Sequence, residues 1–247
     1  GDFNQATLEH HGVTSTMFRQ DDKFMVNTEG EDGEMRDFEI KYVFGVDPLQ
    51  QYLVEFDRLP DQPENEIARL QVLRISWDTK NKRWFHLDPP DVHEKLEPDD
   101  DLHWTGIAQR WNNMCADCHS TNLQKGFDAE TNRYHTTFSE INVSCETCHG
   151  PGSVHVELAE AKSFFWDRKH GYGLPKLKGK DQATIERQIQ SCAPCHSRRR
   201  IVHPDFSGGK NFHDHFASEP MRPETYHQDG QIMDEVYVFG SFIQSKM

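Results

Sequence analysis

The chain has 247 residues, a formal net charge of −14 and a hydrophobic share of only 35%, which sets a prior of one or two domains. The acidity excludes nucleic acid as a partner, because that binding needs a basic footprint. No run of about 18 apolar residues exists that would span a membrane, and the thin apolar share asks for large apolar bodies other than side chains in the core.

Residues 1 to about 88 contain no cysteine and carry strand signals. Stretches 13–18, 24–28, 38–44, 52–56, 70–77 and 84–87 are rich in β-branched and aromatic residues, with Asp21-Asp22 and Glu31-Asp32-Gly33 as turns. Leu70, Val72 and Arg74 alternate with Gln71 and Leu73, so the period-two pattern of that strand is imperfect. This region is expected to form a five- or six-stranded antiparallel meander. Residues 88–101 follow with seven carboxylates, one lysine and Pro89, Pro90 and Pro98. Such a run is a solvated connector, which divides the chain into a β-rich domain over 1–100 and a second domain over 101–247.

The second domain holds all six cysteines, in three copies of one pentapeptide: Cys115 to His119, Cys145 to His149 and Cys192 to His196. C-x-x-C-H is a c-type haem attachment pattern. On a helical turn, residues three and four apart share a face. Cys115 and Cys118, Cys145 and Cys148, and Cys192 and Cys195 can therefore each hold one porphyrin, with His119, His149 and His196 as proximal iron ligands. A pair of zinc knuckles is the competing use of such residues, but it does not require a histidine after every second cysteine. The expected cofactor is three covalently bound haem c groups, lying close together within a short length of chain.

Thr105 is expected to cap a helix running through Trp111 and Met114 into the first motif, Ser139 one leading into the second, and Asp181 one carrying the third. Residues 153–165 read as helical, 171–180 as loop and 203–231 as irregular chain wrapped over haem; 232–242 fits strand or helix. Trp104, Trp111, Phe164, Phe165 and Trp166 are expected to pack around porphyrin. The fold class expected is α+β: an N-terminal antiparallel β meander followed by an irregular, mainly helical multihaem domain.

Twelve of the fifteen histidines lie outside the motifs. Neutral imidazole is a good iron ligand, and three irons need at most three more. His155 follows the breaker Gly150-Pro151-Gly152, on a tether too short to round its own porphyrin, so it is expected to meet a neighbouring haem. His11, His215, His227, His10 and His103 are the other distal candidates, while His93 and His170 read as solvated. Arg198, Arg199 and Arg200, directly after the third motif, suit propionate carboxylates.

The run from Val143 through Cys-Glu-Thr-Cys-His-Gly-Pro-Gly-Ser-Val to His155 resembles multihaem cytochromes c related to the tetrahaem electron carrier of ammonia oxidisers. Tyr42 to Leu53, Arg83 to Leu87, Met114 to Asn122 and Asp229-Gly-Gln-Ile resemble large exported cytochromes, some fused to tetratricopeptide repeats. The resemblance implies that His155 is a haem ligand and that further haem motifs flank this portion in relatives. Thioether attachment follows export, so a periplasmic or extracellular site is expected; Gly1-Asp2-Phe3 shows no signal peptide, so either it is removed or this is part of a longer haem wire. The function expected is electron transfer through mostly bis-histidine haems, to other redox proteins or neighbouring haem-bearing chains in a homo-oligomer or filament. The alternative is an oxidoreductase acting on a nitrogen or sulfur oxyanion or hydroxylamine at one haem with an open position.

Overall fold

The computed structural model describes residues 1–89, 91–161, 172–233 and 237–245. The expectations for His170, Phe164, Phe165 and Trp166 fall outside these residues. The chain divides into two compact units, Gly1–Asn142 and Val143–Met247, so the first motif shares a unit with the β region and the other two lie in the second.

Seven antiparallel strands follow one another in sequence order: β1 Ala6–His10, β2 Val13–Gln20, β3 Lys23–Glu29, β4 Met35–Phe44, β5 Leu49–Phe56, β6 Arg69–Asp78 and β7 Arg83–His86. The sheet curls until it is nearly closed. Phe3 meets Trp84 edge-on at 5.3 Å, the Trp84 indole donates to the Asp2 carbonyl at 2.8 Å, and the rings of His10 and His86 stack at 3.8 Å across the seam. The first strand lies outside the stretches whose composition announces a strand, because Ala6, Thr7, Leu8, Glu9 and His10 carry few β-branched or aromatic residues. Pairing with β2 forms it, through a two-residue His11-Gly12 turn in which both residues have positive φ (48° and 80°) and His10 faces Val13.

This arrangement corrects the expected fold class. A large, nearly closed seven-stranded sheet dominates, and the chain is 22% helical against 31% strand. The haem-motif region is not mainly helical. Among the described residues its α1 Trp111–Met114, α2 Ala116–His119, α3 Cys145–His149, α4 Ser153–Glu160, α6 Phe212–His215 and α7 Phe239–Gln244 are one- or two-turn pieces, and only α5 Gln182–His196 is longer. Thr105 caps no helix; its hydroxyl pairs with His103 Nδ1 at 2.7 Å. Ser139 caps no helix either; its amide donates to the Thr121 carbonyl at 2.9 Å, and α3 begins after Ser144 instead. Asp181 does cap α5, accepting from the Thr184 amide at 3.0 Å.

The imperfect period of β6 has a physical cause: every residue from Arg69 to Ser76 is buried. One face, with Leu73 and Ile75, joins Phe3, Met17, Val26, Tyr52, Val54 and Trp104 inside the curl. The other, with Leu70 and Val72, packs on Phe44, Leu53, Ile67, Trp111 and Ala116. A strand covered on both faces has no polar side to alternate with. Its polar residues are spent on the chain that follows. Gln71 donates to the carbonyls of Trp104 and Gly106, both at 3.0 Å, and Arg74 holds the Leu102 carbonyl at 2.9 and 2.6 Å.

Asn112, fully buried on α1, completes the docking. Its Oδ1 accepts from the Leu70 amide at 2.8 Å, and its Nδ2 donates to the Ala68 carbonyl at 3.0 Å and to Thr136 Oγ1 at 2.8 Å. Asn112→Ala strands those partners in a buried site. Urea unfolding of the haem-loaded protein is expected to show a loss of about 3 kcal/mol.

Candidate functional site

Each C-x-x-C-H sits on a helical turn. In the first, Ala116 is completely buried against the outer face of β6, so Cys115 and Cys118 flank a fixed point of the sheet. Burial, with a smaller contribution from Cys118, pushes the Cys115 thiol up to about 11. That is opposite to the environment of a metal-bound thiolate. His119 meets Phe44 edge-on at 5.5 Å, and the loss of solvent lowers its pKa, favouring the neutral imidazole that ligates iron.

The second and third motifs adjoin. Ser191 Oγ donates to the Cys148 carbonyl at 3.1 Å, and the Cys192 thiol has a raised pKa, through burial first and the nearness of Cys148 second. Gly150 ends α3 at φ 70°, and the Gly152 amide donates to Glu146 Oε1 at 2.7 Å, which fixes the Gly-Pro-Gly turn. Glycine is required on the facing chain as well. A Cβ on Gly208 would lie 2.4 Å from the Gly150 nitrogen and 2.6 Å from the Cys148 carbonyl oxygen.

The polypeptide by itself leaves these motifs incomplete, in a way that suits haem. Among the described residues, the buried polar atoms without a hydrogen-bond partner include His149 Nδ1 in the second motif and Arg110 Nε and Trp111 Nε1 just before the first. Native interiors rarely leave such groups unmet, and the two donors match an acidic-edged group. Apolar side chains beside the motifs stand open: Met114 at 61% exposure next to Cys115, with Val143, Val154, Val156 and Ile185 near the others. None of the cysteines is in a disulfide, and among the described residues they form no group of three metal ligands. Paired thiols, trailing histidines, orphaned donors and uncovered apolar surface together fit a flat apolar cofactor with acidic edges. Arg110 was not legible as a site residue in the sequence; only its place before the first motif marks it.

The distal candidates separate clearly. His155, on α4, has Nδ1 3.2 Å from the Tyr172 carbonyl. Buried His215, on α6, has Nδ1 3.2 Å from the His203 carbonyl and 3.2 Å from Asp205 Oδ1. In both, a carbonyl at Nδ1 fixes the proton there and leaves the Nε2 lone pair for a metal, the usual arrangement of ligating histidines. His103 is the reverse. Its Nδ1 accepts from the Thr105 amide at 3.3 Å, which places the proton on Nε2. His227 is exposed in a turn closed by the Tyr226–Ile232 bridge, and His11 occupies the hairpin turn. His10 stacks on His86 beside Asp88. Arg198 pairs with Glu219 at 3.1 Å, Arg199 lies 4.3 Å over the Phe216 ring and donates to the Pro194 carbonyl at 2.7 Å, and Arg200 is exposed in the short strand β8 (Arg199–Ile201).

With this geometry in view, residues 76–150 match the family described as cytochrome c554 and c-prime. The matched stretch takes in the end of β6, the acidic connector and the first two motifs; the third lies beyond it. Compared with curated proteins and with solved structures, the chain finds no match in either. The family match supports a c-type cytochrome, with covalently bound haem c as cofactor and electron transport as its role.

Gly208→Ala forces backbone against backbone beneath the second motif. It is expected to cost the haem-loaded protein about 1–3 kcal/mol. It should also leave a fraction of chains short of one haem, read by intact mass.

Proposed function

We propose that this chain is an exported multihaem electron carrier with three haem c groups, bound at Cys115/Cys118, Cys145/Cys148 and Cys192/Cys195. One observation carries the proposal: three helical turns each present two thiols and a histidine, and two of those turns pack on one another through Ser191 and the Cys148 carbonyl. Haem bound there supplies a one-electron couple. The chain's own residues do the rest. His119, His149 and His196 give the proximal nitrogens. His155 and His215 offer Nε2 as distal ligands, oriented by the carbonyls of Tyr172 and His203. An iron held by two imidazoles has no open position for a substrate, and His155 and His215 give two of the three irons that ligation, which favours electron transfer over catalysis. Arg110 Nε and Trp111 Nε1, buried without hydrogen-bond partners, would be the donors for propionate at the first motif.

Periplasmic or extracellular placement follows from thioether attachment. Among the described residues no helix is long and apolar enough to cross a membrane. The partners would be other redox proteins or haem-bearing chains, with filament or oligomer assembly as one form of that contact.

Two measurements test this reading. Intact mass of the exported protein should exceed the polypeptide by three haem groups; a mass without haem ends the proposal. His155→Ala should convert one ferric haem from low spin to high spin with all three still attached. An unchanged low-spin spectrum removes His155 from the ligand set. A high-spin haem in the unmodified protein would instead favour an oxidoreductase.

A further inference from the structure

The seam of the curled sheet brings together three donor groups that the haem motifs do not use. His10 ends β1, His86 ends β7, and Asp88 lies two residues further on. Asp88 Oδ1 is 2.7 Å from His86 Nδ1 and 2.9 Å from His10 Nε2, and all three atoms lie within 4.8 Å of one another. His10 Nε2 is buried and, despite that short distance, lies off the line of a hydrogen bond, so its polar capacity is unmet. Asp88 Oδ1 is hydrogen-bonded to His86 Nδ1 and not to His10 Nε2; a cation between them satisfies all three at once.

We propose that His10 Nε2, His86 Nδ1 and Asp88 Oδ1 bind one divalent transition-metal ion of the zinc class, clipping the first strand of the sheet to the last. Two imidazoles and a carboxylate suit zinc, nickel or copper and do not suit magnesium or calcium. Three protein ligands with solvent in the fourth position is a familiar zinc arrangement. The stacked rings, 15° from parallel, must turn about Cβ–Cγ to aim both lone pairs at one point, and they border a cavity of about 70 Å³. Around that cavity Glu29 and Glu94 join Asp88 against Arg74 and Lys95, an excess of one carboxylate. Arg74 is engaged by the carbonyls of Leu102 and Leu87. The clip acts where the sheet needs it: among the described residues, β1 and β7 are not paired as neighbouring strands.

The test is titration of the haem-loaded chain with zinc ion alone, followed by calorimetry and by zinc-edge X-ray absorption. One equivalent is expected, bound by two imidazoles and oxygen at about 2.0–2.2 Å. His10→Ala and Asp88→Asn should each weaken binding by about tenfold or more, with the haem spectrum unchanged and far-UV dichroism showing the sheet intact. Asp88 is exposed, so its variant keeps the test alive if the histidine variant folds poorly. The proposal is overturned if the unmodified protein binds no zinc or if Asp88→Asn binds it as tightly. It is equally overturned if His10→Ala turns a haem high-spin, which would assign His10 to iron.

Discussion

Strand β6 is the element on which the first unit depends. Burying both of its faces lets one strand serve two cores at once: the inside of the curled sheet, and the platform on which the first haem motif stands. A strand buried on both faces rarely carries arginine and glutamine. Here Gln71 and Arg74 reach the carbonyls of the returning chain, so the cost of burying them is met by binding residues 102–106 to the sheet. Asn112 repeats the device from the other side. The first motif is therefore attached to a rigid strand, although its own helices are single turns.

Among the described residues the second unit shows no comparable scaffold. Its buried apolar cluster is small, built on Ala193, Phe212 and Phe216. Order near its two motifs comes from close backbone approach at Gly150 and Gly208, from the Ser191 hydroxyl, and from the Asp181 cap that starts α5. Much of its apolar surface lies open beside the thiols. On the proposed function, covalent haem would complete the core of this unit, since apolar area removed from water is the main source of stability. The two units thus present their motifs in opposite ways: one on the face of a sheet, the other on short helices with little core of their own.

The histidines illustrate how a carbonyl decides a role. His155 and His215 have backbone acceptors at Nδ1, and His103 has a backbone donor there. The same side chain is made ready for a metal in the first two cases and kept from one in the third, because the second ring nitrogen takes the proton that the first does not hold. His10 and His86 follow a third pattern, with a shared carboxylate and a seam to close.

Sequence by itself determined the parts that depend on local covalent spacing. Six cysteines placed as three Cys-x-x-Cys-His units point to covalent haem wherever the chain runs, because two thiols three residues apart share a face on any helical turn. The Asp181 cap is equally local, and the β-branched and aromatic stretches marked where β2 to β7 run. Tertiary structure decided the rest. It made a strand of residues 6–10 through pairing with β2, curled the sheet until His10 met His86, and reduced the helices expected from Thr105 and Ser139 to single turns. It also chose the histidines whose Nδ1 finds a carbonyl. These outcomes arise from long-range hydrogen bonds and two-sided burial, which no local pattern of residues encodes.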